Sequence, residues 1–370
     1  MLNVAFIGNG KSTNRYHAPF LLFRPETFRI RTIYGRSAPT WDLIDGVRYV
    51  RDPEEIWSDP EIDLVIVTTT TAESHAQFAR EALEHGKNVV VDKPFAPTAA
   101  EAREIFDLAA EKGLFVQGYQ NRRFDSDFLT AKSVIESGVL GELLEVEMHY
   151  DYYRPEVPES FAPAEDPGLS FLYAHGVHTL DQAISLFGAP AAVRSDVRQL
   201  LGAGRMNDYF DVALDYEGFT VRVASSYFRV VNRPRFVLYG RRGVFVKTTE
   251  DRQEEHLKLF AVPGTPGFGL DLPEHYGTLT YVDAAGERHE EKVPSIPGDY
   301  ARFYDGVHAS IVEGAEKIVR DEETIAVIGI LEEGMRGWVP ASAAASEGSP
   351  AGGGASAGAD APEGTGAAPR

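Results

Sequence analysis

Through its first 118 residues the chain alternates between two apolar rhythms. Asn3–Ile7, Ile30–Tyr34, the stretch DLVIVTTT ending at Thr70, NVVV ending at Val91, and Leu114–Val116 are short continuous apolar runs, and they read as buried strands. Between them apolar residues recur at helical spacing. In AESHAQFAREALEHG, residues Ala72, Ala76, Ala79 and Leu83 fall on one face, and Gly86 sits where a helix ends. TAAEAREIFDLAAEKG repeats the design, with Thr98 placed as an N-cap, Glu101 three residues on and Gly113 at the close. This alternation builds βαβ units, so residues 1–118 are predicted to form an α/β, doubly wound parallel sheet of the Rossmann type.

Beyond residue 119 the rhythm lengthens. After a helical pattern in DFLTAKSVIESG come strand-like runs at Leu143–Tyr153, Ala192–Gln199, Tyr209–Tyr216, Thr220–Val231, Arg235–Lys247 and Thr278–Asp283, separated by turns such as YEG and DAAGE. That pattern predicts a large, mostly antiparallel open sheet. Helices are expected at HTLDQAISLFG, DYARFYDGVHASIVEG and DEETIAVIGILEEG, which makes residues 119–340 an α+β domain. Residues 341–370 are Ala, Gly, Ser and Pro with little to bury, and are expected to be a disordered tail.

Composition narrows the function. A net charge of −20 with no basic cluster disfavours nucleic acid as a partner. No apolar run approaches the roughly 18 residues of a membrane span. The chain has no cysteine, so disulfides and thiolate metal sites are excluded, and it begins in a strand without a leader pattern; both fit a cytoplasmic protein binding a small molecule.

The first strand meets Gly8 and Gly10, and a helix follows, as a dinucleotide-binding turn requires. Gly8 permits the tight turn, Gly10 lets backbone N–H groups approach a pyrophosphate, Thr13 stands at the third glycine position, and Lys11 and Ser12 add donors. The second strand runs into TIYGRSAP without the acidic residue that takes a ribose 2′-hydroxyl. Arg36 and Ser37 stand there instead, and a guanidinium suits a 2′-phosphate. The expected cofactor is therefore NADP, with NAD the alternative and Arg36 as a solvated loop residue the plainer reading.

Three more stretches carry polar groups to the expected cleft. VTTTTAESH ends the third strand with Thr69, Thr70 and His75, and VVVDKPF ends the fourth with Asp92 and Lys93. In GVHTLDQAISLFG, His178, Asp181, Gln182 and Ser185 share one helical stripe opposite Leu180, Ala183, Ile184 and Phe187. His178 on a first helical turn would favour a neutral imidazole. YQNRRFDSDF links the halves and offers Asn121 and Arg122 to substrate or cofactor, unless Arg122 and Arg123 pair with Asp125 and Asp127. HYDYYRPE offers Tyr153 and Arg154, while His17 reads as structural. A trio of His175, His178 and Asp181 at spacing suited to zinc is a competing arrangement.

The glycine turn with RYH downstream, the segment ending GKNVVVDKP, YQNRRFD and GVHTLDQAISLFG together resemble the glucose–fructose oxidoreductase/inositol dehydrogenase (Gfo/Idh/MocA) family of NAD(P)-dependent dehydrogenases. The resemblance implies Lys93 as the active-site lysine, His178 as the catalytic base, hydride transfer to or from a hydroxyl carbon of a sugar- or polyol-like substrate, and a homodimer or homotetramer. The family's Glu before the lysine is here Asp92. The carboxylate that many polyol-oxidising members carry four residues before the histidine is here Ala174, with His175 or Asp181 as substitutes. A dinucleotide-sensing regulator on the same fold is the non-enzymatic alternative.

Overall fold

The computed structural model describes residues 1–155, 170–200, 206–336 and 338, so the expected tail lies outside the described residues. Strands β1 (Leu2–Ile7), β2 (Phe28–Tyr34), β3 (Arg48–Val50), β4 (Leu64–Val67), β5 (Asn88–Val91) and β6 (Val116–Gly118) form one sheet in the order β3-β2-β1-β4-β5-β6. Every pairing is parallel. β3 is the strand the apolar pattern did not predict: its three residues include one buried side chain, Val50, too little to register as a run.

The helices form where caps and faces predict. Thr98 Oγ1 accepts the N–H of Glu101 at 3.1 Å and opens the helix Ala99–Lys112, which stops at Gly113 with φ 65°. Ala76, Ala79 and Leu83 of the helix Ala72–Glu84 pack on Val65, Val67, Val89 and Val91. The other face of this sheet is covered from both ends of the chain. Phe20 and Leu21 pack there beside Tyr300, Phe303, Tyr304 and Val307 of or next to the helix Ala301–Glu313. That helix, grouped by the sequence pattern with the second half, thus completes the core of the first.

The second sheet holds β7 (Leu143–His149), β8 (Ala192–Arg198), β9 (Tyr209–Tyr216), β10 (Phe219–Ser226), β11 (Phe236–Gly240), β12 (Gly243–Lys247), β13 (Gly277–Val282) and β14 (Arg288–Val293). Their order is β14-β13-β12-β11-β7-β10-β9-β8, antiparallel except for β7 beside β10. The expected single run 235–247 splits into a hairpin, and β14 escaped prediction because its sequence RHEEKV is charged, as befits a solvent-facing edge. Helices Ser126–Glu136, Val177–Phe187 and Asp321–Met335 lie on one face of this sheet, burying Leu180, Ala183 and Ile184 against Val146, Met148, Val223 and Leu238. The fold is thus α/β: a Rossmann-like parallel sheet joined to a mostly antiparallel one. No helix among the described residues is long and apolar enough to cross a membrane.

Candidate active site

The order of the first sheet reverses between β1 and β4, so a crevice opens at the C-terminal ends of its strands. The glycine turn, Arg36–Ser37, Thr69–Thr70 and Asp92–Lys93 all follow those ends. Gly8 adopts φ 126°, and a Cβ there would lie 2.6 Å from Thr68 Oγ1. At Gly10 a Cβ would meet nothing within 4 Å, so the turn has open space before it, and Lys11 beside it is exposed. A turn that is closed behind and open in front fits a dinucleotide pyrophosphate.

Thr13 does not reach that space. It is fully buried, and its hydroxyl lies 2.7 Å from the Gly8 carbonyl and 2.7 Å from Thr68 Oγ1, so it locks the turn to β4 rather than touching a ligand. His75 is likewise buried. Its Nδ1 lies 2.7 Å from the Pro94 carbonyl and its Nε2 2.9 Å from the Thr69 carbonyl, clamping two cleft loops together from behind. Thr69 is half-buried and accepts from Ser74 Oγ at 2.7 Å, while Thr70, Arg36 and Ser37 are exposed. The Arg36 carbonyl accepts from Arg51 at 2.9 Å, which ties its loop to the end of β3.

Asp92 links the turn to the lysine. Its Oδ2 accepts from Ser12 Oγ and its Oδ1 accepts the Lys93 N–H at 2.7 Å. His17 stands behind it, fully buried, with Nε2 3.5 Å from Asp92 Oδ2 and Nδ1 2.5 Å from the Tyr304 hydroxyl. Burial favours the neutral acid, but His17, Lys93 and His75 outweigh it and hold Asp92 well below the usual carboxylate range.

Lys93, whose peptide bond to Pro94 is cis, directs its Nζ to 3.4 Å from the carbonyl of Ala174. Ala174 belongs to the π-helical stretch Leu172–Gly176, which runs without a break into the helix bearing His178. His178 is therefore not on a first helical turn, and a helix terminus cannot keep it neutral. Burial does so first, followed by the charges of Arg122 and Lys93, and together they push the imidazole well below its ordinary value. Its Nδ1 is buried without a hydrogen-bond partner. Lys93 is also lowered, chiefly by burial.

The predicted stripe on this helix is not a solvated face. Gln182 is fully buried, donating to the Arg122 carbonyl at 2.7 Å and accepting from Arg235 at 2.6 Å. Asp181, offered above as a substitute for the missing carboxylate and so as a substrate contact, is instead buried in a two-pronged pair with Arg123 at 2.8 and 2.7 Å. Among the described residues the ligand atoms of His175, His178 and Asp181 do not converge, so the zinc trio does not assemble. Asn121 is buried in the short helical turn Asn121–Phe124. Arg122 pairs with Asp125 at 3.4 Å and with Glu254, and its guanidinium lies 4.7 Å from the centre of the Tyr150 ring.

Tyr153 is 56% exposed, so it is not enclosed with the buried groups around Lys93. Tyr152 takes its place, with its hydroxyl 3.3 Å from His175 Nδ1. Strand alternation could have identified it, because Val146, Met148, Tyr150 and Tyr152 share one parity and the first two are core residues. Glu254 carried no local signal: it meets Arg122 from 132 residues away.

A parallel sheet with a glycine turn at its switch point, whose strand-end lysine Lys93 reaches the helical run that bears His178, is the arrangement of a nucleotide-dependent oxidoreductase. Residues 2–119 match the NAD-binding Rossmann domain of the GFO_IDH_MocA oxidoreductase family, and residues 132–337 match its C-terminal alpha/beta domain. The chain belongs to that family. It is 43% identical over 341 residues to the uncharacterized oxidoreductase YhhX of Escherichia coli, covering 90% of this chain and 96% of the relative. It is 34% identical over 334 residues to the scyllo-inositol 2-dehydrogenase (NADP(+)) IolW of Bacillus subtilis, covering 90% and 93%. The crystal structure of the probable oxidoreductase YhhX superposes with a TM-score of 0.87 over 92% of this chain and 98% of that one, at 42% identity.

Proposed function

We propose that this protein is an NADP(H)-preferring dehydrogenase acting on a CH–OH group of a small polyol- or sugar-like substrate, with Lys93 and His178 serving the same substrate oxygen. The observation that carries this reading is the approach of Lys93 Nζ to the Ala174 carbonyl, 3.4 Å away on the run that bears His178. The 34% identity to a scyllo-inositol dehydrogenase over nearly the whole length supports the substrate class.

The backbone at Gly8–Ser12 would hold the pyrophosphate, and Arg36 with Ser37 the adenosine ribose and its 2′-phosphate. The bound nicotinamide supplies a hydride acceptor or donor. The chain's own groups manage the proton and the charge. A neutral His178 accepts the hydroxyl proton. The Lys93 ammonium stabilises negative charge on the same oxygen in a site largely shielded from water. Arg122, held by Glu254 and Asp125, adds a positioned donor at the cleft wall. A homodimer or homotetramer formed through the sheet face opposite the three helices belongs to the same proposal, and sedimentation tests it.

The functional test is reduction of NADP+, followed by nicotinamide absorbance, with a panel of cyclitols and sugars that includes scyllo-inositol. NADP+ reduction by at least one member is expected, with NAD+ used less well. Arg36→Ala should abolish the preference between the two nucleotides; a preference for NAD+ that this change leaves intact overturns the cofactor assignment.

A further inference from the structure

Two side chains of the first helical stretch meet the same carboxylate. Ser12 and His17 are the first and last residues of a π-helical run, and both face Asp92 just after β5. Ser12 Oγ donates to Asp92 Oδ2, and His17 Nε2 lies 3.5 Å from the same oxygen. Five residues make about 1.4 turns of an α-helix, which would point the two side chains apart. The i to i+5 spacing of a π turn brings them to one side. The other oxygen, Oδ1, accepts the Lys93 N–H at 2.7 Å. Asp92 thus ties the glycine turn, through Ser12, to the strand end that carries Lys93.

His17 is held from its far side as well. Its Nδ1 lies 2.5 Å from the hydroxyl of Tyr304, and its ring lies against that of Tyr119 with centroids 3.9 Å apart. His17 and Tyr304 are fully buried. Asp92 accepts from a hydroxyl and from a backbone N–H, and a carboxylate oxygen offers only lone pairs to Nε2. Whether the ring is neutral or charged, Nε2 must therefore carry a hydrogen, and Nδ1 is left to Tyr304. Tyr304 belongs to the helix Ala301–Glu313, so contacts run from that closing helix through His17 and Asp92 to both pieces of the cleft.

We infer that His17 is a positioning residue: by fixing Asp92 it makes the glycine turn and Lys93 one rigid piece, so that the hold on the cofactor phosphates and the placement of the lysine depend on one buried imidazole. The inference rests on the dehydrogenase reading and deepens it. His17, enclosed on every side, touches neither cofactor nor substrate and acts through Asp92.

The competing role is packing against Tyr119, and two variants separate them. His17→Phe keeps a ring and loses both nitrogens. His17→Gln loses the ring and keeps an N–H donor for Asp92. For a positioning residue, His17→Phe should weaken NADPH binding, followed by fluorescence, and lower kcat on whichever alcohol of the panel is oxidised. Each loss should be about tenfold or more, the worth of a hydrogen bond to a charged group, and His17→Gln should restore most of both. Near-normal values in His17→Phe, a loss confined to one of the two measurements, or a His17→Gln protein worse than His17→Phe overturns the inference. If neither variant folds, nitrogen NMR of His17 in the unmodified protein decides: a hydrogen on Nε2 is expected, and a ring bare at Nε2 overturns it. If the unmodified protein oxidises no alcohol at all, the dehydrogenase reading falls, while the NADPH affinities and the tautomer still decide the role of His17.

Discussion

Burial acts on Lys93 and His178 in the same sense, pushing each toward its neutral form. For alcohol oxidation the consequences are opposite. His178 must be neutral to take a proton, so the rate falls as pH drops through its pKa, and that acid limb is expected well below the ordinary 6.5. Lys93 must be charged, so the rate falls as pH rises through its pKa, below the ordinary 10.5. A kcat/KM profile with an acid limb at or above 6.5 would show that His178 is not the base. Lys93→Met should reduce turnover by roughly 10²–10³-fold and His178→Ala by roughly 10²–10⁴-fold. The double variant should lose far less than the product of the two, as groups serving one step do. Near-normal turnover in either single variant removes that residue from the mechanism. Both residues stand out as candidates in the sequence because each sits inside a motif at the border of a readable element. Asp181 and His75 were misread because a polar residue beside a cleft looks the same whether it faces the ligand or, as here, braces the loops behind it. Pairing across 58 residues, as between Arg123 and Asp181, leaves no local trace.

At the scale of the element, the strand–turn–helix at Gly8–His17 separates two uses of glycine. A Cβ at Gly8 would strike Thr68 Oγ1 at 2.6 Å and the Thr68 carbonyl at 2.7 Å on a backbone with φ 126°. Gly8→Ala should therefore destabilise the fold by on the order of 1–3 kcal/mol, visible as a lower melting temperature. Gly10→Ala meets no protein atom within 4 Å, so it should melt normally yet bind NADP(H) at least about tenfold more weakly, because the added methyl occupies the space a phosphate needs. A normal affinity in Gly10→Ala would move the pyrophosphate away from this turn. Long periodic elements such as Ala72–Glu84 and Ala99–Lys112 were readable from spacing and caps alone. The three-residue β3, the charged edge β14 and the π-helical run before His178 were not, since length, polarity and helix phase each hid them.

Across the whole molecule, Arg123 joins segments that are remote in sequence. It is buried, holds Asp181 by two bonds, lies 2.9 Å from Glu323, and donates to the Ile318 carbonyl at 2.8 Å. Arg123→Met strands the buried Asp181, while Glu323 keeps its pair with Arg320 at 2.6 Å, and a loss of roughly 3–5 kcal/mol in unfolding free energy is expected. Adding Asp181→Asn should recover part of that loss; denaturant titration of the three proteins decides it, and a single variant as stable as the parent would show that the arginine is not needed as a counter-charge.

The helix Ala301–Glu313, lying on the first sheet beside Phe20 and Phe28, bears on how such proteins can be recombined. A crossover placed at the obvious seam, near residue 119, would give the nucleotide half of a hybrid a foreign partner for Tyr300, Phe303, Tyr304 and Val307, and His17 a foreign partner for its hydrogen bond to Tyr304. A workable hybrid needs a second crossover just ahead of Tyr300, so that the nucleotide half inherits its own closing helix, and a third ahead of Asp321, because the helix Asp321–Met335 lies on the second sheet. In gene fusions and shuffled libraries alike, the exchangeable unit is a discontinuous one, since the helix Ala301–Glu313 interrupts the part of the chain that builds the second sheet.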